Sequence, residues 1–409
     1  MLPGISIKFD NGNIATVVAT ADGTLGLVAS AVAVVDKLQL DTPYSVKGMA
    51  DVAALGILPD VDNYRLYKTL SEFYEQAGEG TKLWLICYGK DTKVSDWFTA
   101  DVGTGKAPVE KMLDAANGEV SGLFTSFSPE GAYVLTIANG MDADVELAMQ
   151  KAQLLADNYT TKNFAPLFVI LEAYGFTGIA ADVVDLLALS NNRVGIFVGD
   201  TEQRTGVPAS IGTASHVLAG VLASTQVHEN AGKVKNGALK TLNAYIVDSP
   251  AEEYDVAALH DKGYITFRTH VRKAGYYITD DPLATLPTDD YSNISLRRVI
   301  DKAYKLAHNI ASNEILADFD LNNDGTISPF FAKTVEGNIE REIATQMTAK
   351  NELSASLTDK DDLGVTATFN TEINVATTSR IELTLKVRPR GYARWFDILL
   401  GYDVNLNNN

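Results

Sequence analysis

Residues 167–199 read LFVILEAYGFTGIAADVVDLLALSNNRVGIFVG, and the two apolar runs at the ends of this stretch decide the fold. Residues 167–171 and 193–199 are short, nearly continuous hydrophobic segments rather than alternating ones. A strand reads this way when both of its faces are covered, which is the condition of a parallel sheet. Residues 180–189 lie between them with helical spacing and predict a crossover helix. The same rhythm extends outward: residues 133–138 predict a strand, 142–158 a helix, and 209–223 a further helix after the last apolar run. Strands alternating with helices of this length predict βαβ units and a mostly parallel sheet.

Toward the N-terminus the pattern continues less regularly. Residues 82–88 (KLWLICY) and 26–35 read as strands, and 51–55 as a short helix. Residues 62–76 form an amphipathic helix with Tyr64, Tyr67, Leu70, Phe73 and Tyr74 on one side, stopped by Gly78 and Gly80. Residues 89–130 interrupt the rhythm and read as a loop-rich insertion. At the extreme start Ile5, Ile7 and Phe9 alternate with Ser6 and Lys8, a strand pattern, and residues 14–20 follow as another β-rich run. After about residue 255 the rhythm changes to α+β. Residues 263–278 read as two strands broken at Gly275, 295–317 and 331–348 as helices, and 364–375, 380–387 and 392–404 as strands.

Composition narrows the function classes. The chain has 409 residues, a net charge of -18 and one cysteine. Residues 1–254 carry 17 Lys+Arg against 30 Asp+Glu, and residues 255–409 carry 17 against 22. Nucleic acid and anionic membrane surfaces are poor partners for so acidic a chain. Cys87 sits in an apolar run and reads as a small core residue, so no intrachain disulfide is expected. The opening MLPGISIKFDNG has no basic and long apolar signal-peptide pattern, and no apolar run reaches the ~18 residues a membrane span needs.

Four patterns could carry chemistry. Asp320, Asn322 and Asp324, with Gly325 and Ile327, match the first positions of an EF-hand-type calcium loop, but the twelfth position is Phe331 instead of a bidentate Glu. The same residues also read as a tight Asn/Asp/Gly turn. Gly103-Thr-Gly105-Lys106-Ala107 has the look of a phosphate-loop ending, without its first Gly or its final Ser/Thr. Glu172 and Asp200 follow the two deciding strands, at the sheet edge where α/β enzymes place catalytic groups, with His216 and His228 further on. The plain reading of these residues is helix capping and surface solvation. Finally, basic residues cluster late: Lys262, Arg268, Arg272 and Lys273; Arg297, Arg298, Lys302 and Lys305; Arg380, Lys386, Arg388, Arg390 and Arg394. Such clusters in an acidic protein suggest a face for an acidic partner.

Several segments, in order, resemble the tail sheath family of contractile phages and related injection systems. They are Pro3-Gly4-Ile5, residues 41–46 leading to Ala54-Leu-Gly56-Ile57, Phe73-Tyr74-Glu-Gln-Ala77-Gly78 followed by Lys82-Leu-Trp84-Leu85, Gly263-Tyr264-Ile265, residues 275–279, Arg297-Arg298, residues 381–389 and residues 393–400. Residues 325–329 are also similar to sheath subunits of Bacteroides-type phages. The resemblance implies an α/β outer domain and an α+β inner sheath domain with extended terminal β-strand arms. The N-terminal arm would be residues 1–20, the outer domain 21–254 with its insertion at about 89–130, the inner domain 255–390 and the C-terminal arm 391–409. It implies a structural subunit without catalytic site or cofactor. The subunit would polymerise with itself as stacked hexameric rings around a tail tube, between a baseplate and a tail terminator, and contract to drive the tube through a target envelope. Assembly in a bacterial host's cytoplasm into a virion tail is implied, with no nucleic-acid partner and no membrane insertion. Ile5, Ile7, Phe9, Trp395, Ile398 and Leu400 would enter neighbouring subunits' sheets, and Arg297, Arg298, Lys302 and Lys305 are the candidates for the tube-facing surface. A calcium-stiffened surface or adhesin-type binding module is the competing reading.

Overall fold

The computed structural model describes residues 21–205 and 211–401 of the chain. The expected N-terminal strands, with Ile5, Ile7 and Phe9, lie outside the described residues. The chain divides into two compact units, Met1–Phe319 and Asp320–Asn409.

The first unit is built on a six-stranded sheet. Its strands are β1 (Leu25–Ser30), β2 (Tyr44–Val46), β3 (Leu83–Tyr88), β4 (Gly122–Ser126), β5 (Phe168–Glu172) and β6 (Val194–Phe197), in the spatial order β2-β3-β1-β4-β5-β6. All neighbours are parallel except β2, which pairs antiparallel with β3 at the edge. The apolar runs that predicted strands are buried along their whole length in β1, β5 and β6, and so is β4, which the sequence did not announce. The chain adds β3 on one side of β1 and then β4 to β6 on the other, so the order reverses between β1 and β4.

The helices cover this sheet. α1 (Tyr64–Ala77) buries Leu66, Leu70, Phe73, Tyr74 and Ala77, and Phe73 stacks on Phe124 of β4 at 5.6 Å. It packs against α3 (Ser215–Ser224), where Gly220 permits close approach: a Cβ there would lie 2.6 Å from Gln76 Cβ. α2 (Ala143–Asn163) starts at Asp142, whose carboxylate accepts from Asp144 N, and runs against β5.

Three expectations fail here. Residues 180–189 form no α-helix; they hold only a 3-10 turn at Leu186–Ala188, after which Ser190–Asn191 pairs with Ala284–Thr285. The supposed insertion at 89–130 instead supplies β4, a central strand, together with two short helices at Val94–Trp97 and Glu110–Ala116. The strand Gly122-Leu-Phe-Thr-Ser126 is short and carries only two large apolar residues, Leu123 and Phe124, so it does not stand out from the surrounding loops. Yet Gly122 is required by packing, since a Cβ there would lie 2.4 Å from Phe168 Cζ on the adjacent strand. Residues 133–138, expected as a full strand, contribute only Ile137–Ala138.

Residues 255–319, expected with the C-terminal domain, pack into the first unit. Ile265 extends the sheet beside β6, donating N–H to Ile196 O at 3.0 Å and accepting from Val198 N at 2.8 Å. Phe267 meets Phe197 edge-on at 5.1 Å. α4 (Ile294–Asn313) follows, its first half buried and its N-terminus held by the Asp281 carboxylate, which accepts from Ser295 N at 3.0 Å.

The second unit is smaller. A turn at residues 320–328 leads into α5 (Pro329–Ile343), which continues as a π-turn at Ala344–Thr348. Strands β7 (Val365–Phe369) and β8 (Leu383–Val387) form an antiparallel pair against α5. Of the strand expected at 392–404, the described part, residues 391–401, forms no helix or strand, and residues 402–404 lie outside the described residues.

Candidate functional site

The carboxyl edge of the parallel sheet gathers the residues that sequence singled out as possible catalysts. Glu172 ends β5 and Asp200 follows β6 by three residues. The structure brings them together through a residue the sequence gave no reason to choose. Arg65, on the buried face of α1, donates from Nη1 to Asp200 Oδ2 at 2.5 Å and from Nη2 to Glu172 Oε1 at 3.1 Å. Nη2 also donates to Thr213 O at 2.5 Å. One helical turn later Lys68 reaches Asp200 Oδ1 at 2.8 Å and Glu72 Oε1 at 3.1 Å, and also bonds Thr201 Oγ1. Glu72 in turn meets His216 Nε2 at 2.7 Å. Arg65, Lys68, Glu72 and the 3.6-residue period explain the arrangement: positions i, i+3 and i+7 share one helix face.

This network is buried and largely satisfied. The second oxygen of Glu172 accepts from Phe127 N at 2.5 Å, and Oε1 also accepts from Thr213 N at 3.0 Å. Burial works against the Arg65 charge, but Asp200 and Glu172 outweigh it and hold the guanidinium protonated. Burial pushes Glu172 up, opposed by Arg65 and the two backbone donors. Burial also opposes ionisation of Glu72, yet the His216 hydrogen bond and the Lys68 charge bring it down to about 2. His216 is pushed down by burial, against the pull of Glu72. Its Nδ1 has no partner, which suits a neutral ring donating from Nε2. His228, the other expected histidine, is not part of this cluster. Carboxylates already committed to Arg65, Lys68 and backbone N–H groups are poor general bases, because accepting a proton would break the pairs that hold them. The arrangement ties α1 to the carboxyl ends of β5 and β6 and to α3, on the sheet edge where α/β enzymes place ligands.

The other chemical candidates resolve similarly. Gly103 and Thr104 N–H groups both donate to the Asp101 carboxylate, at 3.0 and 2.8 Å, so the phosphate-loop-like turn is folded onto its own acid. Lys106 pairs with Asp114 at 2.6 Å. In the 320–328 turn, Asp324 Oδ1 accepts from Thr326 N and Oγ1 at 3.0 and 2.7 Å. The Asn322 amide donates to Thr326 Oγ1 at 2.9 Å and Ile327 O at 3.1 Å. Thus Asp320, Asn322 and Asp324 lie on one turn whose polar atoms largely stabilise the turn. Among the described residues, no three His, Cys, Asp or Glu side chains converge as a metal site. Cys87 is buried and its thiol is pushed up by burial.

The basic face expected on α4 is not a face. Arg297, Arg298 and Lys302 are buried and Lys305 is half-buried. Arg297 pairs with Asp301 at 2.5 Å, Arg298 donates to Leu222 O and Thr225 O, Lys302 pairs with Asp22 at 2.7 Å, and Lys305 donates to Gly118 O at 3.2 Å. Asp301 also receives Arg193 at 3.2 Å. The sequence showed the positive charges of one helix but not the distant acids and carbonyls that absorb them. These four residues are therefore internal clamps of the first unit, and the tube-facing assignment to them is withdrawn.

At the C-terminal end, the opposite holds. Trp395 is 84% exposed, Ile398 82% and Leu400 95%, with Phe396 and Leu399 equally open. The strand pair explains what could receive such a segment. In β7, even-numbered residues face β8, and the outward N–H groups of Ala367 and Phe369 donate to Glu340 Oε1 at 2.8 Å and Glu336 Oε1 at 2.7 Å. That edge is closed by side chains. Among the described residues no strand pairs with the other edge of β8.

This architecture is the fold of sheath proteins from contractile particles. The chain aligns with the anti-feeding prophage (AFP) helical sheath in its contracted state at a TM-score of 0.61 and 16% identity, covering 98% of this chain and 99% of that one. It aligns with a chain of the six-fold symmetrised AFP baseplate at 0.62 and 16%, over 98% and 99%. With the PVC sheath complex of an extracellular contractile injection system, in the contracted state, the values are 0.59 and 14%, over 99% and 98%. No curated protein sequence matches. The DUF2586 N-terminal domain model matches residues 2–282 and the DUF2586 C-terminal domain model residues 290–407. The chain belongs to the DUF2586 family. Among the described residues no helix is long and apolar enough to cross a membrane.

Proposed function

We propose that this chain is a structural subunit of a contractile tail sheath. It polymerises with itself as stacked hexameric rings around a tail tube protein, held between a baseplate and a tail terminator. Contraction drives the tube through a target envelope. The reading is mechanical: no catalytic residue or cofactor is assigned, and the acid-rich sheet edge acts as an internal clamp. The particle is a virion tail or a related injection machine, assembled in a bacterial host's cytoplasm.

The observation that carries the reading is the pairing of an exposed apolar segment with an open strand edge. A two-stranded sheet is marginal alone. Here one edge is closed by Glu336 and Glu340, among the described residues no strand pairs with the other edge of β8, and residues 391–401 leave large apolar side chains exposed. Free edges normally invite aggregation; exchanged strands use the same hydrogen bonds to link copies. Residues 1–20 and 391–409 serve as the arms, with Ile5, Ile7, Phe9, Trp395, Ile398 and Leu400 the side chains that neighbouring subunits bury. The outer domain is the α/β sheet region, and the inner domain is built from the C-terminal α+β region. Head-to-tail contacts that do not close yield the helical stack, and arms of main-chain hydrogen bonds keep it linked while subunits rotate.

The test is polymerisation. Purified protein, examined by negative-stain microscopy, should form cylinders. A variant lacking the first dozen and last dozen residues should stay as single subunits of unchanged circular dichroism. Cylinders from the truncated variant would end the reading.

A further inference from the structure

A groove on the first unit, remote in sequence from both arms, has the chemistry of a docking site. It is lined by Phe98, Ala107, Leu155 and Tyr159 on its floor, and by Lys151 and Lys162 of α2 and Glu110 around them. Its volume is about 160 Å³. A cavity of ~150 Å³ lined by apolar side chains holds a benzene, so a leucine side chain fits. The walls are ordered: Asp101 closes the turn at its mouth, and Glu110 accepts from Ala107 N at 2.8 Å. Residues 1–254 carry a net charge of -13, so two lysines without an ion-pair partner among the described residues are a local exception.

The second unit carries the complementary piece. Leu357 is fully exposed at 104% and is followed by Asp359, Lys360 and Asp361. This loop is pre-ordered rather than slack: Ser356 Oγ accepts from Asp359 N at 3.0 Å, Asp359 Oδ1 from Asp361 N at 3.0 Å, and Arg388 holds Asp362 at 2.6 Å. Pre-ordering lowers the entropy cost of docking. Neither the groove nor the loop is used by the arm exchange.

We propose that the groove receives the 356–362 loop of a second copy, with Leu357 on the apolar floor. Asp359 and Asp361 meet Lys151 and Lys162, and Lys360 faces Glu110. The contact is much smaller than the ~1,000 Å² of a self-sufficient interface, so it adds to the arm linkage instead of replacing it, and it rests on the polymer reading above. Being a surface ion-pair contact, it weakens as salt shortens the Debye length to ~8 Å at physiological ionic strength and ~3 Å at 1 M.

Zero-length carbodiimide coupling of cylinders grown from equal amounts of light- and heavy-isotope protein tests it. The expected products are peptides joining Lys151 or Lys162 to Asp359 or Asp361 as mixed-isotope pairs. The pairs should vanish in Lys151→Glu with Lys162→Glu. They should return, with amine and acid exchanged, when Asp359→Lys and Asp361→Lys are added to that variant. Links confined to one isotope place the contact within a chain and overturn the proposal. Cylinders whose Lys151 and Lys162 couple to nothing, or to another acid such as Asp397, also overturn it while leaving the polymer reading intact. Absence of cylinders removes both.

Discussion

Replacing Arg65 by leucine isolates the clamp at the sheet edge. The guanidinium lies 2.5 Å from Asp200 and 3.1 Å from Glu172, and all three side chains are buried. Leucine fits the volume of the stem but leaves two carboxylates facing each other without the cation. Lys68 still reaches Asp200 at 2.8 Å, so Glu172 is the group left without a cation. Breaking a buried pair from one side costs about 3–5 kcal/mol. For a domain of this size each kcal/mol lowers the melting temperature by roughly 2 °C, so Arg65→Leu should melt roughly 6–10 °C below the parent. The deficit has a pH signature. Without Arg65, the folded-state pKa of Glu172 rises further above its unfolded value. A carboxyl with a raised folded pKa takes up a proton on folding, so its penalty is full at high pH and shrinks as pH falls through that pKa. The assay is circular-dichroism melting of parent and variant between pH 8 and 5. A deficit under 1 kcal/mol at pH 8, or one that grows on acidification, would refute the argument that Arg65 is there to neutralise buried acids. Glu172→Gln in the Arg65→Leu background should recover part of the loss.

Glu72, held near 2 by His216 and Lys68, contributes stability that is complete above its ordinary value of 4.5 and is lost as pH falls from there toward 2. The shift corresponds to roughly 3 kcal/mol, so parent should lose stability over that window and Glu72→Gln should lose less, read by chemical denaturation at each pH. Gly122→Ala should cost about 1–3 kcal/mol by overpacking against Phe168, with Phe168→Leu relieving part of it in the double variant's melting curve. Removing the edge caps with Glu336→Ala and Glu340→Ala should expose the outer N–H groups of β7 and produce irregular aggregates in sedimentation, whereas unchanged sedimentation would show that the caps do not guard that edge. Millimolar calcium should leave the melting temperature unchanged, since the Asp324 and Asn322 side chains stabilise their own turn; a calcium-dependent rise abolished by Asp320→Ala would restore the ligand reading.

The parallel sheet was legible because fully buried strands must be apolar along nearly their whole length, and residues 168–171 and 194–197 carry no polar side chain. β4 was not, because its packing depends on absence of bulk: Gly122 serves a phenylalanine 46 positions away, and a sequence window cannot see that partner. The candidate site was half legible. Glu172 and Asp200 stood out as acids at strand ends, but their meaning turned on Arg65, which belongs to a helix over 100 residues earlier and reads there as an ordinary polar position. Arg65, Lys68 and Glu72 recur at i, i+3 and i+7 on one side of an amphipathic helix, and only the fold shows that this side is buried. The misreading of α4 has the same origin. Arg297, Arg298, Lys302 and Lys305 count as a basic cluster along the chain, while their acids and carbonyls come from residues 22, 118, 222, 225 and, on the helix itself, 301.

Charge and apolar surface are thus distributed against the usual pattern, and the two inversions support one mechanical argument. Ion pairs placed inside a unit are directional, so they resist sliding between elements more than an equal area of apolar contact would; α1 is tied to the ends of β5 and β6 in this way, and α4 to Arg193 beside β6. A unit stiffened internally can move as a rigid body. Apolar side chains placed outside, on residues 395–400, gain only when another molecule covers them. In the sheath proposed above, stiff subunits joined by exposed segments would concentrate deformation in the joints, and β-segment joints would tolerate it because their hydrogen bonds belong to the main chain. If Arg65→Leu loosened the first unit without altering how cylinders shorten, rigidity of that unit would not be part of the mechanism. If it yielded cylinders of irregular pitch at a temperature where the unit is still folded, internal stiffness would be established as what the buried charges are for.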